Sequence, residues 1–275
     1  MTNSEYFMEF LKIGERREKP RDVGLTMSGD WGLTIMEAER LLELVGDYID
    51  LIKFAMVTGR LCRKDYIIKK NKIYEKYDII TFPGGVLFEC AILQNKIHEF
   101  LREAREVGCG AVEISTSEMR AMPLELMCKL TEIASKDYGF KVIVELGGGS
   151  SHHPVAGFKV AETIHEINTL LKRGAWKIIL EGDVLRFMGA GKTPEGTRDL
   201  KAIVDAVGHE NLIFETGGDR EFTEWLIETY GPEVNVGNVP IMGNPMKVFE
   251  LEAARRRIVQ TIRSGRIPAA VLRMI

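Results

Sequence analysis

Short apolar runs rich in β-branched residues alternate with longer amphipathic, charged segments, and the alternation repeats eight times. The expected strands are Val23–Met27, Tyr48–Phe54, Ile79–Phe82, Ala111–Ser115, Lys141–Leu146, Trp176–Glu181, Leu212–Glu215 and Val234–Val236. The expected helices are Ile35–Val45, Lys64–Lys76, Ala91–Val107, Pro123–Asp137, Val155–Arg173, Glu195–Val207, Arg220–Thr229 and Met246–Ser264. Each strand candidate is a near-continuous apolar run, as required when helices cover one face and a barrel interior the other. Turn residues such as Gly46-Asp47, Gly108, Gly139, Gly174, Gly208 and Gly231-Pro232 mark helix exits. Eight βα units at this spacing favour closure over an open doubly wound sheet. The expected architecture is α/β: a single-domain (β/α)8 TIM barrel over residues 23–275, with residues 1–22 as a short N-terminal extension.

Composition narrows the partners. The formal net charge is −3, so no overall field favours nucleic acid or an anionic membrane surface. No apolar run approaches the ~18 residues of a membrane span. Cys62, Cys90, Cys109 and Cys128 form no CxxC pair and read as reduced thiols, which points to the cytoplasm. The expected partner is a small anionic substrate held by local groups.

In a barrel of this type the strand C-termini and the loops after them form the active site. Four successive strands each bring one glutamate there: Glu113, Glu145, Glu181 and Glu215. Carboxylates within apolar strands are costly unless paired or bound to metal. Hard oxygen donors of this kind suit Mg²⁺, with Glu145, Glu181 and Glu215 as the expected ligands. Lys53, inside the apolar run Asp50-Leu51-Ile52-Lys53-Phe54, is the expected anion binder or proton donor. The surrounding carboxylates would hold its charge and so disfavour Schiff-base chemistry. Glu113 and Asp30 complete the expected catalytic set. Glycine turns after three strands, including Gly84-Gly85 and Gly217-Gly218, offer backbone N–H groups to an anion. Ser115, Asn238, Arg21, Arg186 and the loop residues His152 and His153 are the remaining expected substrate contacts.

Taken in order, these positions resemble the phosphosulfolactate synthase family. The matching features are Lys19-Pro20-Arg21 with Gly24, Thr26 and Asp30; Gly46-Asp47-Tyr48-Ile49-Asp50 with Lys53-Phe54; and Pro83-Gly84-Gly85-Val86-Leu87-Phe88-Glu89. They continue through Glu113-Ile114-Ser115, Glu145 with Gly147, Gly174-Ala175-Trp176-Lys177 leading to Glu181, Phe214-Glu215, Gly231-Pro232 with Asn235-Val236-Gly237-Asn238, and Leu251-Glu252. The resemblance implies a magnesium-dependent barrel enzyme, a homo-oligomer, that adds sulfite to phosphoenolpyruvate to give 2-phospho-3-sulfolactate. In methanogens that is an early step of coenzyme M synthesis.

Three loops depart from the family pattern. Beyond Glu145 the family carries a lysine pair; this chain has Gly147-Gly148-Gly149-Ser150. An Ala-Arg-Glu-Ser-Gly stretch gives way to Gly182-Asp183-Val184-Leu185, and an Ala-Pro-x-Lys loop to Thr216-Gly217-Gly218-Asp219. The expectation is a retained metal scaffold with rewritten anion contacts. Either His152, His153, Arg186 or Arg220 replaces the missing cations, or the substrate has changed.

Overall fold

A computed structural model of the chain describes residues 6–119, 122–147 and 158–272. Eight parallel strands form the barrel: β1 Thr26–Asp30, β2 Leu51–Phe54, β3 Ile80–Pro83, β4 Ala111–Ile114, β5 Lys141–Leu146, β6 Ala175–Leu180, β7 Leu212–Glu215 and β8 Asn235–Val239. Their order is β3-β2-β1-β8-β7-β6-β5-β4. At the β3/β4 seam the Gly110 amide donates to the Thr81 carbonyl at 3.1 Å, so the barrel is nearly closed. The outer ring comprises α1 Ile35–Val45, α2 Thr58–Leu61, α3 Lys64–Glu75, α4 Gly85–Leu93, α5 Ile97–Glu106, α6 Leu124–Glu132, α7 Val160–Lys172, α8 Gly182–Phe187, α9 Pro194–Val207, α10 Arg220–Tyr230, α11 Met246–Arg255 and α12 Ile258–Ser264. None of the described helices is long and apolar enough to cross a membrane.

Local chemistry sets the helix starts. Thr34 and Glu37 form a reciprocal capping box on α1. Thr193 caps α9, with Pro194 in its first turn, and Asp219 caps α10 through the Phe222 amide. Breaks follow from backbone conformation. The single helix expected over Ala91–Val107 is instead α4 and α5, divided where Asn95 turns left-handed (φ 54°). Met246–Ser264 divides likewise at Arg257 (φ 52°). The first strand lies later than Val23–Met27, and the second begins only at Leu51 because Gly46–Tyr48 form a 3-10 turn.

Alternation across the strands gives two cores. The inner one holds Leu25, Met27, Leu51, Phe82, Ala111, Ile143, Ile179 and Ile213. The larger outer one lies between strands and helices. Two residues beyond Leu51, Ala111, Ile143, Ile179 and Ile213, on the same inward face, come Lys53, Glu113, Glu145, Glu181 and Glu215. The charged layer therefore rests on a sealed apolar floor.

The opposite, N-terminal end is closed by polar clamps. The Asn235 side chain accepts from the Leu25 amide at 2.9 Å and donates to the Leu212 carbonyl at 2.7 Å. Buried Arg255 donates to the carbonyls of Gly24, Leu25 and Val234, and its burial lowers its pKa to about 9. Arg16 reaches across from the N-terminal arm to Glu252 at 3.0 Å. The Lys19 ammonium donates to the carbonyls of Gly46, Ile49 and Tyr77.

Candidate active site

Lys53 occupies the centre of the C-terminal mouth. Its Nζ donates to Glu215 Oε1 at 3.0 Å and to Glu113 Oε1 at 3.3 Å, and lies 3.9 Å from Glu145 Oε2. The lysine side chain is 11% exposed. Burial alone would lower its pKa, but Glu113, Glu215 and Glu145 outweigh that and raise it above its ordinary value. The residue is a fixed ammonium.

The carboxylates differ. Glu113 is held from two sides, by Lys53 and by the Gly85 amide at 3.0 Å at the first turn of α4. Glu145 has the poorer environment. Burial, followed by the charges of Glu113 and Glu215, pushes its carboxyl well above the usual range, and it shares a hydrogen bond with Glu113. Its Oε1 lies 3.0 Å from Ser115 Oγ. Glu181 caps α8, accepting from the Val184 amide at 2.9 Å, and burial raises its pKa too.

Glu89 was legible only as a residue after strand three. Here it anchors the loop beyond β4, accepting from Ser115 Oγ, Ser117 Oγ and the amides of Glu118 and Met119. Ser115 thereby links this anchor to Glu145. Gly84 and Gly85 make room for this arrangement. A Cβ on Gly84 would lie 2.9 Å from the Phe54 carbonyl oxygen, and one on Gly85 only 2.2 Å from Ser115 Cβ. Their role is close packing, with the Gly85 amide engaged by Glu113 instead of an incoming anion.

Several expected site residues lie elsewhere. Asp30 points outward, toward α3. Its oxygens accept from Tyr74 Oη at 2.7 Å and from the amides of Gly32 and Leu33, and it pairs with Lys70. It fixes the β1–α1 loop and does not join the Lys53 cluster, because it alternates with the inward face of β1. Arg21 is at the closed end, 3.0 Å from Asp50 Oδ1 and donating to the carbonyls of Asp47 and Arg17. Arg21→Ala is therefore expected to cost the fold about 3–5 kcal/mol by leaving Asp50 buried and unpaired, while kcat and KM of the folded fraction stay within twofold. Melting curves and steady-state kinetics check this. A KM raised tenfold would return Arg21 to the substrate site.

Arg186 is at the mouth, but it pairs with Asp183 one turn away on α8. Gly217 and Gly218 have positive φ (60° and 79°), and Gly218 lines a depression with Thr216, Arg220 and Lys247. Arg220 is bound to Glu224 and Lys247 to Glu250, each at 2.8 Å. Lys192 pairs with Asp219 at 3.3 Å. Asn238 sits half-buried on β8 in the left-handed region (φ 52°). His152 and His153 lie outside the described residues.

The match to known proteins follows this layout. A family model for (2R)-phospho-3-sulfolactate synthase matches residues 14–261. The chain belongs to the phosphosulfolactate synthase family. It is 30% identical over 246 residues to the phosphosulfolactate synthase of Methanothermobacter thermautotrophicus, covering 88% of this chain and 92% of that one. It is 30% identical over 237 residues to the Bacillus subtilis phosphosulfolactate synthase, covering 84% and 90%. The Arabidopsis thaliana protein HEAT-STRESS-ASSOCIATED 32 is 20% identical over 273 residues, covering 90% and 91%. Among solved structures, 3-keto-L-gulonate-6-phosphate decarboxylase from Vibrio cholerae has TM-score 0.53 at 13% identity, covering 85% and 97%. 3-Hexulose-6-phosphate synthase from Salmonella typhimurium has TM-score 0.52 at 14% identity, covering 84% and 98%. These two likenesses are of fold alone.

The family resemblance implies Mg²⁺. Among the described residues no group of three or more His, Cys, Asp or Glu side chains is gathered as a ready-made metal cage. Buried carboxylate oxygens are the donor chemistry such an ion takes. Three buried carboxylates surround one ammonium, and burial, with the charges of Glu113 and Glu215, pushes the Glu145 carboxyl upward. Mg²⁺ typically binds through one or two carboxylates and keeps several waters.

Proposed function

We propose that the chain is a lyase of the family type, adding sulfite to the methylene carbon of phosphoenolpyruvate to give 2-phospho-3-sulfolactate. The observation supporting this reading most is Lys53, held as an ammonium by Glu113 and Glu215 at the end of an otherwise apolar barrel. The sulfite sulfur lone pair forms the C–S bond. The π pair of the C=C bond moves onto the adjacent carbon and its carboxylate, giving an aci-carboxylate. Lys53 contributes positive charge where that negative charge develops. Lys53 is also the candidate to deliver the proton that completes the adjacent carbon. Glu113 and Ser115 fix the orientation of Lys53 and Glu145. A Mg²⁺ ion held by Glu145, Glu181 and Glu215 would supply further stabilisation of the carboxylate charge.

The test is loss of phosphoenolpyruvate and gain of a sulfonate at saturating sulfite with Mg²⁺. The expected kcat/KM lies below about 10⁴ M⁻¹s⁻¹, the low end of the ordinary enzyme range. The reason is that Arg186, Lys192, Arg220 and Lys247 are each paired with a carboxylate and would have to exchange partners to meet a phosphate. Product that disappears in Lys53→Met supports the reading. No product above background at saturating sulfite rules out this pair of substrates.

A further inference from the structure

We infer that Glu89 is a positioning residue: from α4 it latches β4 across the seam of the barrel that lacks a strand ladder, and so sets where Glu113 and Glu145 stand relative to Lys53. Its effect on turnover rests on the proposed reaction at Lys53. The strand order runs from β3 round to β4, and each neighbouring pair within it is hydrogen-bonded. Between β3 and β4 themselves, the backbone hydrogen bond among the described residues is the one from the Gly110 amide to the Thr81 carbonyl. Gly110 precedes the first residue of β4, so that bond ties the end of the seam away from the mouth. The seam also divides the site. Lys53 on β2 is the register partner of Phe82 on β3, whereas Glu113 and Glu145 belong to the paired strands β4 and β5.

At the mouth, α4 supplies what the ladder lacks. It follows β3 directly, so whatever it holds on β4 is tied across the seam. Gly85 and Glu89 stand at i and i+4, on one helix face, and Glu113 and Ser115 at i and i+2, on one strand face. The two pairs meet in register. The Gly85 amide donates to Glu113 Oε2 at 3.0 Å, and Glu89 Oε1 lies 3.0 Å from Ser115 Oγ. Glu89 is 3% exposed, and a carboxylate so buried is costly unless its oxygens are satisfied. Its further donors are Ser117 Oγ at 3.1 Å and the amides of Glu118 at 3.1 Å and Met119 at 2.8 Å. Among the described residues, every hydrogen-bond partner of Glu89 thus belongs to the segment leaving β4. Ser115 carries the hold one strand further, its Oγ lying 3.0 Å from Glu145 Oε1. A shift of this latch would move Glu113 and Glu145 together, away from a lysine anchored on the other side.

Deuterium exchange of backbone amides, followed beside steady-state turnover, tests the latch on the full chain. The informative amides are those of Gly85 and Gly110, whose acceptors, Glu113 and Thr81, remain when Glu89 is replaced. In Glu89→Ala both are expected to exchange roughly tenfold faster, while the Asp50 amide, bonded to the Thr26 carbonyl between β2 and β1, exchanges as in wild type. A misplacement of about 1 Å lowers turnover by ~10²-fold, so kcat of the folded Glu89→Ala protein should fall by that order while KM stays within about threefold. Glu89→Gln separates positioning from chemistry. Its carbonyl oxygen can keep the Glu118 and Met119 amides, and its amide group can donate to the two serine hydroxyls, so kcat should return to within about fivefold of wild type. A carboxylate that moved a proton would lose as much in the glutamine variant as in the alanine one. Adding Ser115→Ala to Glu89→Ala should lower kcat by no more than about twofold further, because it cuts a path already broken. Exchange at Gly85 and Gly110 within twofold of wild type in Glu89→Ala would overturn the inference. So would an unchanged kcat in that variant, equal losses in the glutamine and alanine variants, or losses that multiply in the double variant. The exchange readout is independent of the reaction: a wild type that adds no sulfite counts against the proposed chemistry, and Gly85 and Gly110 still decide the latch.

Discussion

Lys53→Met is expected to abolish turnover and, contrary to a purely catalytic role, to cost the fold about 3–5 kcal/mol at pH 8. The ammonium is the one positive group in contact with Glu113, Glu145 and Glu215 among the described residues. Removing it leaves buried carboxylates facing each other. The deficit should depend on pH in a defined direction. Glu145 has a folded pKa raised above its ordinary value of 4.5. Its favourable contribution is therefore fully present below about pH 4.5 and is lost as pH rises through the folded value. Without Lys53 that folded value rises further, so the mutant should approach wild-type stability in mild acid and diverge from it toward alkaline pH. Lys53 itself, raised above 10.5 in the folded state, contributes stability throughout neutral pH and loses it only in strong alkali. Thermal melts at pH 5 and pH 8 read this. A mutant that melts with wild type at pH 8 would show that the carboxylates are satisfied some other way.

The second large effect is expected from one methyl group. Gly85→Ala places a Cβ 2.2 Å from Ser115 Cβ and 3.4 Å from the Glu113 carboxyl carbon. Neither neighbour is free to yield: Ser115 connects Glu89 with Glu145, and Glu113 is bound to the Gly85 amide and Lys53. Overpacking of this kind costs about 1–3 kcal/mol. A displacement of about 1 Å in the charged layer can lower kcat/KM by ~10²-fold. Gly59→Ala is the control, since its nearest contact would be Leu87 Cδ1 at an ordinary 3.7 Å; it should leave activity unchanged. Equal behaviour of the two variants would show that the mouth tolerates rearrangement and that the Gly85 contact does not position Glu113.

Much of the barrel was legible because strand burial and helix amphipathicity impose different periods on the chain. Lys141–Leu146, Leu212–Glu215 and Ile35–Val45 have the same bounds in sequence and structure. The glutamates at successive strand ends and Lys53 could be read for the same reason: a charge in an apolar run is conspicuous, and alternation fixes which way it points. Where the pattern was ambiguous by one or two residues, side-chain direction was lost with it. Placing the first strand at Val23–Met27 left Asp30 on a loop near the mouth. In the observed strand, Thr26–Asp30, it faces α3.

The sequence by itself determined the architecture and the layer of charge, because both follow from local periodicity. Only the tertiary structure decided which charges meet. Arg21 and Lys53 were both read as contacts for an anion, yet Arg21 closes one end of the barrel and Lys53 holds the other. The same holds for the mouth arginines and lysines. Whether a cation is free for a substrate depends on a carboxylate brought near by the fold, as with Lys192 and Asp219, which lie 27 residues apart.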